Sequence, residues 1–146
     1  MFKKILVPTD GSEFAERAVD AAIQLAGEHA ASLVLINVQM PFTLVAAEVP
    51  VGFFSSAENY DAEMGKRARQ VLEQAKNKAD AAGVPATVEG LLNEHPWAAI
   101  IETAESASCD LIVMASHGYR GLKGLVLGSQ TQKVLTHSKV PVLVFR

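Results

Sequence analysis

The runs Lys4-Ile5-Leu6-Val7, Leu33-Val34-Leu35-Ile36-Asn37-Val38, Leu111-Ile112-Val113-Met114 and Val140-Pro141-Val142-Leu143-Val144-Phe145 are apolar almost throughout. A strand that is apolar at consecutive positions must be covered on both faces, which a parallel sheet flanked by helices achieves. Between these runs, apolar residues recur at steps of three and four, the spacing of amphipathic helices. Ala15, Ala18, Val19, Ala22 and Ala26 form a small-residue face able to sit close on a sheet. Tyr60, Met64, Ala68, Val71, Leu72, Ala75 and Ala79 form a longer stripe. Strands alternating with helices read as an α/β fold.

Local signals place the boundaries. Pro8 stops the first strand, and Asp10 and Glu13 have the spacing of a capping box, with Ser12 as a competing N-cap. Ser55 and Glu58 repeat that spacing ahead of a long helix ending near Gly83. Ala86 to Leu92 alternates weakly, as an edge strand does. Pro96 suits the first turn of a helix that turns Trp97, Ile100, Ile101 and Ala104 inward. A short helix is predicted from Ser129 to His137. Met40 to Phe54 is apolar and carries Pro41 and Pro50, which fits a flap over a site, an interface, or a loop packed on its own helix.

The 146 residues show no repeat or linker, so a single domain over 1–146 is expected. With 49% apolar and 20% charged residues the composition is that of a folded core, not a disordered tail or coiled coil. A net charge of −3 gives no reason to expect nucleic acid or an anionic membrane as partner. No apolar run approaches the ~20 residues of a membrane span. One cysteine, Cys109, cannot make an internal disulfide; it sits before a buried strand as a small core residue. A cytoplasmic location is the expectation.

In open α/β sheets, ligands bind beyond the carboxyl ends of strands, where the strand order reverses. Two such ends carry unusual chemistry. The first strand leads into Pro8-Thr9-Asp10-Gly11-Ser12, and the fourth into a loop from Ala115 to Ser129 that holds four of the ten glycines. Glycine lets backbone N–H groups approach an anion, and a helix N-terminus adds a favourable dipole. Gly128-Ser129 opens a helix, Thr131 adds a hydroxyl, and Arg120 and Lys123 are available countercharges. The same residues also fit a flexible connection with an ordinary N-cap. Asp10 fits either a ribose-binding carboxylate or a helix cap, and His117 either a ligand contact or a structural histidine.

Competing chemistries fail on spacing. Lys123 precedes Gly124, so no P-loop is present, and Met114 stands where a nucleophile elbow around Ser116 needs glycine. Scattered histidines and a lone cysteine make no metal cluster. A phosphoacceptor receiver needs an aspartate at the end of its third strand, where Gly90-Leu91-Leu92-Asn93 offers none.

The whole chain resembles the universal stress protein family. Ile5-Leu6-Val7-Pro8-Thr9-Asp10-Gly11-Ser12 is similar to that family's first strand and turn, and Asp110 to Gly118 to its fourth. Gly118, nine residues and then Gly128-Ser129 match its ATP-binding motif, and Val140 to Val144 resembles its last strand. The motif's first glycine is Ala115 here, and Glu94-His95-Pro96 stands where relatives often have glycine two before proline. If position 115 needs a positive φ, alanine is strained there.

The resemblance implies a three-layer α/β/α sandwich, Rossmann-like and similar to adenine nucleotide alpha hydrolases, with a five-stranded parallel sheet in order 3-2-1-4-5. It implies ATP as ligand, with or without Mg²⁺, and a role as a stress-response switch or sensor with at most slow hydrolysis. Asp10, flanked by Pro8 and Thr9, would lie at the ribose, and the Val38 backbone at the adenine. Met114, Ala115, Ser116, His117, Gly118, Arg120, Gly128, Ser129, Gln130 and Thr131 would surround ribose and phosphates. A homodimer is expected through Val140, Pro141, Val142, Leu143, Val144 and Phe145, because a short terminal strand leaves an unpaired edge. The alternative is a nucleotide-independent, dimeric interaction protein with an unidentified protein partner.

Overall fold

The computed structural model describes every residue except Val49, Val51, Phe54, Ser55 and 119–126. The elements in chain order are β1 (Lys4–Pro8), α1 (Glu13–His29), β2 (Ser32–Gln39), α2 (Phe42–Val45), α3 (Ala57–Ala81), β3 (Ala86–Leu92), α4 (Pro96–Ser106), β4 (Leu111–Ala115), α5 (Ser129–His137) and β5 (Val142–Phe145). The strands form one parallel sheet in the order β3-β2-β1-β4-β5, as expected.

Alternate residues of the central strands point to opposite faces, and each face has its own core. Ile5, Val7, Leu33, Leu35, Leu111 and Val113 meet the small residues of α1 and the Leu72–Ala75–Ala79 stripe of α3. Leu6, Val34, Ile36, Ile112 and Met114 meet Ile100, Ile101 and Ala104 of α4 and Val134 of α5. Burying each such Ile, Leu or Val contributes about 1.5–3 kcal/mol, so the central strands anchor the fold. Cys109 belongs to the second core, and burial pushes its thiol pKa up.

Several boundaries differ from the sequence expectations. Pro8 is the last residue of β1, paired with Ile36, and not its stop. Ser12, not Asp10, caps α1: its hydroxyl accepts from the Ala15 N–H at 3.2 Å, so the Asp10–Glu13 capping box does not form. Ser56 caps α3 by accepting from Asn59, whereas Ser55 lies outside the described residues. β5 starts at Val142, leaving Val140 and Pro141 outside the strand, because the Ser138 hydroxyl bonds both the N–H and the C=O of Val140 in a turn. Within Met40–Phe54, α2 packs Val45 inward and sets the Phe42 ring 5.1 Å from Tyr60 of α3. That part is a segment packed on its own helix.

Pro8 has a second consequence. The Thr9 N–H donates to Ile36, so the backbone of Pro8 faces the other way, toward β4. The β1–β4 ladder runs Ile5↔Leu111 and Leu6↔Ile112, and its next rung would need an N–H from Pro8. Proline has none. The registered β1–β4 pairing therefore ends at Leu6↔Ile112, and beyond the carboxyl ends of these strands, where the strand order reverses, is the place at which open α/β sheets form a ligand crevice.

Candidate functional site

One wall of the crevice is the turn after β1. The Gly11 N–H bonds the Thr9 hydroxyl at 3.2 Å, and the Ser12 N–H bonds Asp10 Oδ1 at 2.9 Å. Gly11 has φ +77°, and a Cβ there would meet Val71 at 2.6 Å, so only glycine allows this turn against α3. The Asx turn holds the Asp10 carboxylate above the end of β1. Its Oδ2 lies against the Cα of Gly118, where any Cβ would collide with it.

β2 forms the floor. Even-numbered residues of β2 face β1, as the Thr9–Ile36 bond shows, so the N–H and C=O of Val38 point into the space beyond Pro8. Beside it Asn37, the one polar residue of its run, donates to the Thr9 carbonyl at 2.9 Å. Its Oδ1 is buried with no partner among the described residues.

The opposite wall is the end of β4 and the start of α5. The Ser116 N–H donates to Phe145, and the Ser116 carbonyl accepts from the Gly128 N–H at 2.7 Å, which seats the α5 N-terminus on the strand end. A Cβ on Gly128 would press on that carbonyl at 3.1 Å. Ala115 is buried with negative φ, since the non-glycine residues at positive φ among those described are Ala30 and Ser108. The expected strain at position 115 is therefore absent.

α5 begins without a side-chain cap and with no acidic residue in its first turn, whereas α1 carries Glu13 and Glu16 there. An uncapped, uncompensated helix N-terminus attracts an anion. His117 lies at this wall, its ring 6.0 Å from that of Phe14 and its Nε2 buried without a partner among the described residues.

Pro8, Thr9, Asp10, Val38, Met114, Ala115, Ser116, His117, Gly118, Gly128 and Ser129 thus all lie at the carboxyl ends of β1, β2 and β4 and at the start of α5. Two side chains take other work. Thr131 is 3% exposed and donates to the Ala115 carbonyl at 2.9 Å, holding α5 on β4 instead of offering a hydroxyl to the crevice. Gln130 Oε1 accepts from the Trp97 N–H at 3.0 Å and so caps α4, whose own N-cap side chain makes no cap bond. Arg120 and Lys123 lie outside the described residues. Asn37 and Phe14 escaped the sequence reading; a polar residue inside an apolar strand was the signal for Asn37.

The two elements of wall chemistry, a carboxylate over β1 and free amides at α5, suit a ligand with hydroxyls at one end and negative charge at the other. Glycine at 118 and 128 lets the backbone pass close to Asp10 and to the Ser116 carbonyl, and the polar atoms Asn37 Oδ1 and His117 Nε2 have no partner among the described residues.

Universal stress protein YxiE of Bacillus subtilis is 36% identical over 152 residues, covering 100% of both chains. The solved structure of universal stress protein MJ0577 of Methanocaldococcus jannaschii superposes with a TM-score of 0.84 at 30% identity, covering 99% of this chain and 96% of that one. A universal stress protein solved in complex with cAMP matches with a TM-score of 0.73 at 28% identity, covering 99% of this chain and 97% of that one. Residues 1–146 match the universal stress protein family model from end to end, and the chain belongs to that family.

Proposed function

We propose that the crevice binds an adenine nucleotide, ATP, and that the protein acts as a stress-response switch. The observation that carries this reading is the uncapped, acid-free N-terminus of α5, seated by the Gly128–Ser116 bond at the point where the strand order reverses. Asp10 is the group for the ribose hydroxyls, the Val38 backbone for the adenine edge, and the amides of Ser129 and Gln130 for phosphate. The family relative in complex with cAMP supports an adenine nucleotide as the ligand class.

The described residues do not supply three clustered acidic or metal-ligating side chains, so any Mg²⁺ would rely mainly on the phosphates. Positioning and charge stabilisation are what phosphoryl transfer needs from a protein, and the proposed role is binding with at most slow hydrolysis.

The same chain is proposed to form a homodimer through β5. Phe145 and Pro141 accept from β4, so the N–H and C=O of Val142 and Val144 face outward on an open edge. Leu143 and Phe145 are 44% and 36% exposed beside it.

The test is chromatography of small molecules released on denaturing freshly purified protein, followed by thermal shift. Magnesium-ATP at 100 times its Kd should stabilise by about 2.7 kcal/mol, or roughly 5–10 °C. No released nucleotide and no shift at millimolar ATP would overturn the proposal in favour of a nucleotide-independent interaction protein.

A further inference from the structure

The ladder between β1 and β2 stops one rung early. Pro8↔Ile36 is its last pair, and the Thr9 N–H still donates to the Ile36 carbonyl at 2.8 Å. In a parallel ladder the Thr9 carbonyl would next accept from the Val38 N–H. That bond does not form among the described residues, and the carbonyl accepts instead from Asn37 Nδ2 at 2.9 Å. The orientation of the amide follows, because a carbonyl only accepts and only the NH₂ end of asparagine donates. The Val38 N–H is left with no partner among the described residues, on a half-buried residue.

Replacing a backbone donor by a side chain is unfavourable here. Asn37 is 8% exposed, and its Oδ1 is buried with no partner among the described residues. A leucine at 37 would match the apolar run around it and carry no orphaned acceptor. It would also leave the Thr9 carbonyl to take the Val38 N–H. Packing alone therefore gives no reason for the amide. Its effect is an open N–H on Val38, beside a C=O that points the same way.

We infer that Asn37 is a positioning residue for base recognition: by occupying the Thr9 carbonyl it keeps the Val38 peptide groups open to the adenine edge. This deepens the nucleotide reading of the site and rests on it. A donor beside an acceptor matches adenine, whose N1 accepts and whose N6 amine donates. Hypoxanthine reverses that pair, with a proton on N1 and a carbonyl at position 6, so donor meets donor and acceptor meets acceptor. Mismatched polar groups of this kind are what a hydrogen-bonding site rejects. Asn37 thus sets a preference for ATP over inosine triphosphate (ITP) while touching neither.

The experiment pairs amide hydrogen exchange at Val38 with calorimetric titration of ATP and ITP. In free wild type the Val38 amide should exchange far faster than that of Ile36 in the ladder, and ATP but not ITP should protect it. Asn37→Leu should protect the Val38 amide without ligand, lose about tenfold or more in ATP affinity, and leave ITP affinity unchanged. It should melt no lower than wild type, whereas loss of a merely structural amide would lower the melt. Asn37→His keeps an N–H at the same number of bonds from the backbone, and should restore both the open amide and the preference for ATP. A Val38 amide already protected in free wild type, or an Asn37→Leu variant that binds ATP as tightly as wild type, overturns this inference while the nucleotide site stands. Wild type that binds no nucleotide overturns both. If the variants fail to fold, Val38 exchange in wild type with and without ATP decides alone.

Discussion

At Ala115 a methyl group stands where the family's motif has glycine, and its effect depends on backbone angle. The residue is the last of β4, buried and at negative φ, so the side chain is unstrained. Ala115→Gly should therefore relieve nothing. Glycine in a strand interior costs roughly 0.5–1 kcal/mol relative to alanine, so the variant should melt earlier with ATP affinity no higher than wild type. Denaturant melts and ATP titration of the pair check this; a tighter-binding, equally stable glycine variant would mean that the methyl group obstructs the ligand. Gly118 and Gly128 are different, because a Cβ at either meets Asp10 or the Ser116 carbonyl. The motif's glycine positions are thus not equivalent: a Cβ at 118 or 128 would crowd Asp10 or the Ser116 carbonyl, whereas the methyl group at 115 is accommodated without backbone strain.

Among the elements, β1 does more than pair. Its last residue removes a donor from the β1–β4 ladder, at the point where the strand order reverses. Pro8→Val restores an N–H aimed at β4. The expected outcome is one additional protected amide at position 8 by hydrogen exchange, a more stable sheet, and weaker nucleotide binding as the crevice narrows. An unprotected amide at that position, with ATP affinity unchanged, would show that the pairing ends there for another reason. α5 is likewise tied twice within its first turn, by Thr131 to β4 and by Gln130 to α4. Those side-chain bonds fix how the start of α5 sits on the sheet.

The whole molecule leaves β5 with one unpaired edge. Because Val144 turns its N–H outward, Val144→Pro removes an edge donor without touching the β4 ladder. Sedimentation at micromolar concentration should show a wild-type dimer and a folded monomeric variant; a variant that stays dimeric would place the interface elsewhere. The face over α3 is fastened independently. Lys78 bridges Glu16 at 3.3 Å and Asp20 at 3.0 Å, joining α3 to α1. Burial opposes its charge, but those two carboxylates prevail and raise its pKa. The charges are largely exposed, so this link contributes little beyond the packing beneath it.

The order of the elements, their faces and the positions of both loops were legible in local patterns, because strand burial and helix amphipathicity are written at spacings of one to four residues. Ala86–Leu92 and Ser129–His137 appear in the structure with the bounds read from the sequence. Caps were less legible: Ser12 and Asp10 are both good cap residues, and the Asx turn that gives the cap to Ser12 depends on how Gly11 meets Val71 of a distant helix. The sequence by itself determined a doubly covered parallel sheet and the family motif at its carboxyl edge. Only the tertiary structure decided which bonds the residues there make. That the Thr131 hydroxyl meets the Ala115 carbonyl, that the Gln130 side chain meets α4 and that position 115 is unstrained depend on contacts between segments far apart in the chain. Hydrogen-bond partners are assigned by proximity in space, and no spacing along the chain encodes them.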